Sequence, residues 1–481
     1  MRHYYTAEQI RAAEAPLLAG LPEGALMRRA ATGLAGAIAD ELRGRTGGLV
    51  GRSVCAVVGS GDNGGDALWA ATFLSRRGVA ARALLLAPEH THPGALAAFR
   101  AAGGRVVPAV PTATDLLIDG VVGISGRGPL RPTAAAVFAA AESAGIPVVA
   151  VDIPSGIDVH TGARSGPAVR AAVTVTFGGL KPVHALADCG RVELVDIGLD
   201  LPDTNLRGLD ADDVRNRWPV PGPHDDKYTQ GVVGVVAGSP AYPGAAILCA
   251  GAAVAATSGM VRYAGPAAAH VVSHWPEVVA APSAPAAGRV QAWVIGPGLG
   301  TDEAAVTALM YVLNSDLPVI VDADGLTILS AHPHLVGDRA APTVLTPHAG
   351  EYERLAAGVG LPAGPIAADR VAAARRLADT LGATVLLKGN LTVIAEPGPV
   401  GPVYLNPAGG SWAATAGSGD VLSGVIGALL AAGLEPGAAA AAAAFVHARA
   451  ANAAAADPGP RPVPTSASRI LHHIRQAIAE L

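Results

Sequence analysis

Short apolar runs recur along the whole chain, and longer Ala-rich segments with scattered polar positions lie between them. In the first part the runs are 54–58 (VCAVV), 80–86 (AARALLL), 115–118 (DLLI), 147–151 (PVVAV) and 172–177 (AVTVTF). They are rich in Val and bounded by turn formers, the pattern of strands buried on both faces. Helical patterns over 66–77 and 133–144 separate them, so strand, helix and strand at this spacing predict parallel crossovers in one sheet. Residues 198–225 break the rhythm with high charge, four prolines and no apolar run, and predict a boundary carrying a short helix. Alternation resumes at 232–237 (VVGVVA) and continues through 291–295, 318–321, 343–346, 384–387 and 392–395. Two doubly wound α/β domains are therefore predicted, over residues 1–205 and 206–481. The segment 438–456 is almost pure Ala and predicts a helix, followed by a Pro-rich turn over 457–464 and a final helix.

One stretch, 244–261, holds 18 residues without a charge. It is mostly Ala and Gly, which gain little from lipid, and is expected to be a small-residue helix packed on a sheet rather than a membrane span. Composition supports a soluble globular protein: 51% hydrophobic and 15% charged residues leave ample material for a core. The net charge of −5 argues against a nucleic-acid footprint. Cys55, Cys189 and Cys249 form no C-x-x-C pair, and the opening MRHYYTAEQIRAAEA has no apolar signal-like core, so a reducing cytoplasm is the expected setting. Among 34 cations only Lys181, Lys227 and Lys388 are lysines, and all three lie in glycine-rich motifs. Where the composition favours Arg, such lysines suggest a need for a compact point charge.

In the first half, Gly59-Ser-Gly61-Asp-Asn-Gly64 follows a strong strand and opens a helix, satisfying G-x-G-x-x-G. Asp62 and Asp66 put two negative charges where a dinucleotide fingerprint would hold a pyrophosphate, and the acidic residue expected after the next strand is missing. A dinucleotide-dependent oxidoreductase is thereby disfavoured. Asp119 and Asp152 close two further strands, ahead of Gly120–Gly128 and Asp152-Ile-Pro-Ser155-Gly156. Carboxyl ends of parallel strands line one crevice, so Asn63, Asp119 and Ser155 could offer oxygens to a hard monovalent cation such as potassium. Asp66 and Asp152 would then face a polar substrate. Simple capping of the following turns is the alternative for Asp119, Asp152 and Ser155.

In the second half, Thr415-Ala-Gly417-Ser418-Gly419-Asp420 precedes a long apolar helix. Glycine amides at the positive end of that helix suit a phosphate, with Asp420 beside it; an ordinary first-turn Asp is the alternative. Lys388-Gly389-Asn390-Leu391-Thr392 joins two strands, offering a cation and a tight turn to a nucleotide. Gly296–Gly300, Asp322–Asp324 and Thr346–Glu351 close other strands. None of the lysines follows a glycine, so there is no Walker A motif.

Taken in order, these motifs resemble the bifunctional NAD(P)H-hydrate repair enzyme family over nearly the whole chain. TAEQIRAAEA, GSGDNGGDALWAA, DGVVGISGRG, DIPSGID and Phe177-Gly-Gly-Leu-Lys181-Pro182 are similar to the epimerase domain, which is Rossmann-like. His224–Gly231, AGSPAYPGAA, GPGLG, VDADGL, TPHAGE, LKGNLT and AGSGDVLSG are similar to the ribokinase-like, ADP-dependent dehydratase. The resemblance implies that Asp62, Asn63, Gly64, Gly65, Asp66, Gly123, Ile124, Ser125, Gly126, Arg127, Gly128, Pro129 and Asp152 bind the hydrate in the first domain. It places Asn63, Asp119 and Ser155 around K⁺. In the second domain it implies hydrate binding by Ala245, Gly300, His348 and Asp420, and ADP binding by Lys388, Gly389, Asn390, Leu391, Thr392 and Gly419, with Mg²⁺. Asp152 and Asp420 are the catalytic candidates.

The substrates so implied are NADHX and NADPHX, the hydrated cofactors. No nucleic-acid or membrane partner is expected, and a homo-oligomer is. Two rivals stand beside this reading: a ribokinase-like kinase for a small alcohol or vitamin precursor, fused to a noncatalytic Rossmann-like domain, and a noncatalytic binding scaffold.

Overall fold

The computed structural model describes every residue except Ser125, Ala363 and Pro365. The chain divides into two compact units, His3–Thr204, and Asn205–Leu481 together with Met1–Arg2.

The first unit is built on seven strands: β1 (Ser53–Val58), β2 (Ala80–Leu85), β3 (Arg105–Val106), β4 (Leu116–Gly120), β5 (Val148–Val151), β6 (Val173–Phe177) and β7 (Arg191–Val195). They run in the order β3-β2-β1-β4-β5-β6-β7, every neighbouring pair parallel. This is the doubly wound Rossmann order, and its direction reverses between β1 and β4. Alternation along β1 decides the two faces. Val54, Ala56 and Val58 pack with the Ala25–Thr46 and Asp62–Ser75 helices through Leu34, Ile38, Leu42, Leu68 and Leu74. Cys55 and Val57 point to the opposite face, against Phe138 of the Pro132–Ser143 helix.

The second unit contributes β8 (Leu206–Gly208), β9 (Val232–Val236), β10 (Met260–Ala264), β11 (Val279–Ala281), β12 (Ala292–Ile295), β13 (Val319–Val321), β14 (Thr343–Leu345), β15 (Thr384–Leu387), β16 (Leu391–Ala395) and β17 (Val403–Pro407). Their order is β8-β17-β16-β15-β14-β13-β12-β9-β10-β11. Strand direction is uniform from β11 to β15, but β16 is antiparallel to both β15 and β17. The second sheet is thus mixed rather than wholly parallel, because the connections 388–390 and 396–402 are too short to hold a crossover helix. Four helices, Pro243–Ala256, Ser418–Ala431, Pro436–Ala456 and Ala467–Ala479, cover one face around Val233, Val294, Ile320 and Leu386. Glycines set their distance: a Cβ on Gly424 would lie 2.2 Å from the Cys249 carbonyl oxygen.

Three local expectations are corrected. The uncharged 244–261 stretch is a helix that stops at Ala256 and a strand that starts at Met260, because Thr257-Ser258-Gly259 cannot extend the helix packing. The helix predicted over 66–77 begins earlier, at Asp62, so the acidic residues ride on its first turns. The strand read at 115–118 runs over Leu116–Gly120, so it takes in Asp119 near its end. Among the described residues no helix is long and apolar enough to cross a membrane.

Candidate active sites

In the first unit the switch point between β1 and β4 is made by backbones that exclude side chains. A Cβ on Gly59 would meet the Val121 carbonyl oxygen at 2.1 Å, and one on Gly64 would meet the Gly59 oxygen at 2.5 Å. The loop after β4 thereby lies directly on the start of the Asp62–Ser75 helix. There Gly123 covers the Asn63 amide so closely that a Cβ would sit 2.3 Å from Asn63 Oδ1. Asn63 Nδ2 donates to the Val151 carbonyl (2.7 Å), tying the helix to the end of β5.

Asp119 is fully buried. Its carboxylate accepts from Ser155 N (2.8 Å), Ser155 Oγ (2.7 Å) and Val121 N (3.2 Å). Burial pushes its pKa up to about 6, against the opposing pull of those hydrogen bonds. The capping role is observed: Asp119 organises the Ser155 turn, and its buried charge has no cation among its described bonded partners. Asn63, Asp119 and Ser155 offer only oxygen atoms to an ion, a set that fits K⁺ and no thiophilic metal.

Asp152 follows β5 with φ 67°, a left-handed conformation that Asp adopts only when surrounding contacts hold it. Its N–H donates to the Val175 carbonyl at 2.7 Å. Its Oδ1 accepts from Lys181 Nζ (2.6 Å) and Thr176 Oγ1 (3.0 Å). Burial alone would raise its pKa, but the Lys181 ammonium outweighs it and holds the carboxyl below its ordinary value. His184 Nδ1 accepts from Lys181 N (2.9 Å), so Nε2 carries the proton that meets the Asp152 carbonyl at 2.8 Å. Burial lowers the His184 pKa to about 4, and the ring is neutral. Lys181, Thr176 and His184 were absent from the site assigned by sequence. Of these only Lys181 carried a signal, its rarity.

Asp66 is buried in the Asp62–Ser75 helix, and among the described residues its Oδ1 has no hydrogen-bond partner. Burial, then Asp152, Asp62 and Glu14, push its pKa well up. Gly65 is buried beside it, and Asp62 is exposed at the mouth. Ile124 and Gly126 are half-buried, and Arg127, Gly128 and Pro129 form an exposed rim. Ser125 lies outside the described residues.

In the second unit the loops after β9 and β12 meet at another switch point. A Cβ on Gly298 would lie 2.7 Å from the Ala245 Cβ, and Gly300 N donates to Asp324 Oδ2 at 2.8 Å. Asp322, buried after β13, accepts from Lys388 Nζ on Oδ1 (2.7 Å) and from Ser423 Oγ on Oδ2 (2.7 Å). Lys388 also has Glu351 Oε2 at 3.6 Å. Burial would lower its pKa, but Asp322 and Glu351 raise it, so it stays an ammonium. Gly419 lies over this pair, its missing Cβ 3.4 Å from Lys388 Nζ and 3.6 Å from Asp322 Oδ2.

A cavity of about 410 Å³ opens on one side of Lys388 and is lined by His348, Gly389, Asn390, Thr392, Gly419 and Ser418 among others. Leu391 opens β16 and is not on its wall. Neither are Ala245, Gly300 and Asp420, which gather instead around Asp324, the Gly298 turn and Gly417. Asp420 is in the first turn of the Ser418–Ala431 helix, and burial followed by Asp322 raises its pKa to about 7. His348 caps its helix through Nδ1, accepting from Gly350 N (3.0 Å), and leaves Nε2 towards solvent and Glu351. His447, buried under the loop, touches Ser418 Oγ (3.1 Å) and O (3.0 Å), and burial lowers its pKa to about 4. No motif or spacing along the chain marked it.

Residues 233–473 match the family model described as NAD(P)H-hydrate dehydratase, and residues 23–183 the one described as YjeF-related protein N-terminus. A bifunctional NAD(P)H-hydrate repair enzyme Nnr of Mycobacterium tuberculosis (strain CDC 1551 / Oshkosh) is 74% identical over 481 residues, covering 100% of both chains. The protein of the same description from Mycobacterium leprae (strain TN) is 71% identical over the same span, again 100% of both. Among solved structures, a ribokinase-like superfamily protein of Enterococcus faecalis V583 is similar in fold, with TM-score 0.50 and 24% identity, covering 58% of this chain and 98% of that one. Full-length identity at this level, together with both family models, decides the matter: the chain belongs to the family of bifunctional NAD(P)H-hydrate repair enzymes, which join an NAD(P)H-hydrate epimerase to an NAD(P)H-hydrate dehydratase.

Proposed function

We propose that residues 1–205 interconvert the R and S hydrates of NADH and NADPH, and that residues 206–481 dehydrate the S form at the expense of ADP. The observation that supports the second assignment best is the Lys388–Asp322 pair under Gly419, with Asp420 one residue on. Hydroxide is a poor leaving group and phosphate a good one, which is the reason for a lyase to use a kinase fold.

Asp420 takes the proton of the C6 hydroxyl, whose oxygen attacks the terminal phosphoryl group of ADP and releases AMP. Departure of phosphate from C6 and of a proton from C5 then restores the ring double bond. With its pKa at about 7, Asp420 is half deprotonated at neutral pH and well matched to that role. The Gly417–Gly419 amides at the helix N-terminus and Lys388 face the negative charge that develops on the phosphoryl group. Gly389, Asn390 and Thr392 face the nucleotide cavity, His348 lies at its edge, and Ala245 and Gly300 face the hydrate.

No group of three His, Cys, Asp or Glu suited to a metal is present among the described residues. Mg²⁺ keeps several waters and needs only one or two carboxylates beside the phosphates, here Asp322. When bound it neutralises phosphate charge. K⁺ would be held by Asn63, Asp119 and Ser155 and would supply the countercharge that buried Asp119 lacks. In the first domain Asp152 acts as acid or base on the hydrate, bound by residues 62–66 and 123–129.

The three buried free cysteines suit a reducing cytoplasm. The small-alcohol kinase has no observation in its favour.

The test is to incubate the protein with mixed R and S NADPH hydrate, Mg²⁺ and K⁺, with ADP or ATP, following the absorbance of restored NADPH. Complete recovery with ADP is expected. Recovery that stops at the S fraction rejects the epimerase half, and recovery with ATP alone rejects ADP as donor.

A further inference from the structure

Among the described residues of the first unit, Asp66, like Asp119, is a buried carboxyl without a countercharge. It is 7% exposed, and its Oδ1 has no hydrogen-bond partner. Asp152, Asp62 and Glu14 face it. The cation buried with them, Lys181, has all three ammonium hydrogens committed: to Asp152 Oδ1 (2.6 Å), Thr176 Oγ1 (2.8 Å) and the Phe177 carbonyl (3.1 Å). Arg11 lies further out, on the Ile124 carbonyl, and His184 is occupied by Asp152 O and Lys181 N. From the helices packed alongside, His92 abuts Gly65 and caps its own helix, and Arg28 stacks on Trp69. One lysine thus serves one of two neighbouring carboxyls, and an environment that divides a pair in this way creates an acid and a base.

We propose that Asp66 is the proton donor of the epimerase reaction, and that Asp152, held as a carboxylate by Lys181, is its matching base. The proposal rests on the epimerase reading of this site. Asp66 gives its proton to the C6 hydroxyl of the hydrate. The C6–O bond breaks with its electron pair on the departing water, and the N1 lone pair forms an N1=C6 double bond. The ring then carries a positive charge, which a pocket with more carboxyls than cations stabilises. Water adds to the opposite face of C6, the N1=C6 pair returns to N1, and the added water loses a proton to Asp152. One proton has passed from Asp66 to Asp152, and exchange with solvent resets the pair.

The experiment uses the full chain and pure R hydrate in ¹⁸O-water without nucleotide, so that the S hydrate accumulates and its oxygen can be weighed. Wild type should place one solvent oxygen at C6 per inversion. Asp66→Asn should lower kcat about 100-fold or more with KM nearly unchanged. The unchanged KM shows that the site still folds and binds. The wild-type rate should fall on the alkaline side as Asp66 loses its proton, and the residual rate of the variant should lack that fall.

An Asp66→Asn enzyme that keeps kcat and raises KM overturns the proposal, because Asp66 would only bind. Formation of S without solvent oxygen overturns the water-exchange step. Asp152→Asn that still inverts the hydrate at the wild-type rate overturns Asp152 as the base, whereas wild type that forms no S hydrate at all rejects the epimerase reading, an outcome distinct from the others.

Discussion

Lys181 and Lys388 occupy the same kind of place in different folds: each pairs with a buried aspartate at the end of a parallel strand. Removing either lysine would leave a buried carboxylate without its partner, a loss of about 3–5 kcal/mol in comparable pairs. Asp420 has only a share of Lys388 and titrates near neutrality. As a base it works when deprotonated, so dehydratase kcat/KM should rise with pH through about 7 and level off above it. Asp420→Asn should lower kcat about 10²–10⁴-fold and abolish that rise, while isothermal titration still detects nucleotide binding. A flat profile in wild type would assign the base elsewhere. Rarity in an Arg-rich composition pointed to both lysines from the sequence. Nothing pointed to His184 or His447, because a lone histidine carries no pattern until its neighbours are known.

Among the elements, strand ends and glycine contacts decide function. Gly123→Ala would force the Asn63 amide away, since its Cβ would come within 2.3 Å of Oδ1. R-to-S conversion should fall at least about tenfold, the order of effect expected when a positioning contact shifts by an ångström. Repair of the S hydrate by the same preparation should not change. Gly424→Ala would push the Ser418–Ala431 helix off Cys249 at 2.2 Å and cost about 1–3 kcal/mol, read as a lower urea midpoint.

The helices under each site also carry a neutral histidine, His184 or His447, with pKa lowered to about 4. The unfolded chain binds those protons near pH 6.5, so the stability each contributes is present above that pH. It is lost as pH falls towards 4. Denaturant midpoints should drop over that window, and His447→Gln should blunt the drop.

For the whole molecule, the prediction is that the two chemistries separate. Each unit has its own sheet and core, so fragments 1–205 and 206–481 should fold alone, the first inverting hydrates and the second recovering only the S fraction. Loss of all activity on separation would show that one half completes the other. By itself the sequence determined the α/β alternation and the two-part layout, and it named candidate site residues that lie on the strand-end loops and helix starts of each unit. Hydrophobic period, glycine clusters and rare lysines are local features, and local sterics and charge fix their meaning. It did not determine the antiparallel turn of β16, nor the strands at 105–106, 191–195, 260–264, 279–281 and 403–407, whose composition is too mixed to mark them. Nor could it divide the acids. Asp66 and Asp152 look alike along the chain, and only the fold brings Lys181 from beyond β6 to one of them and leaves the other buried without a cation. Protonation is set by what surrounds a group in three dimensions, and sequence neighbours are a small part of that surrounding.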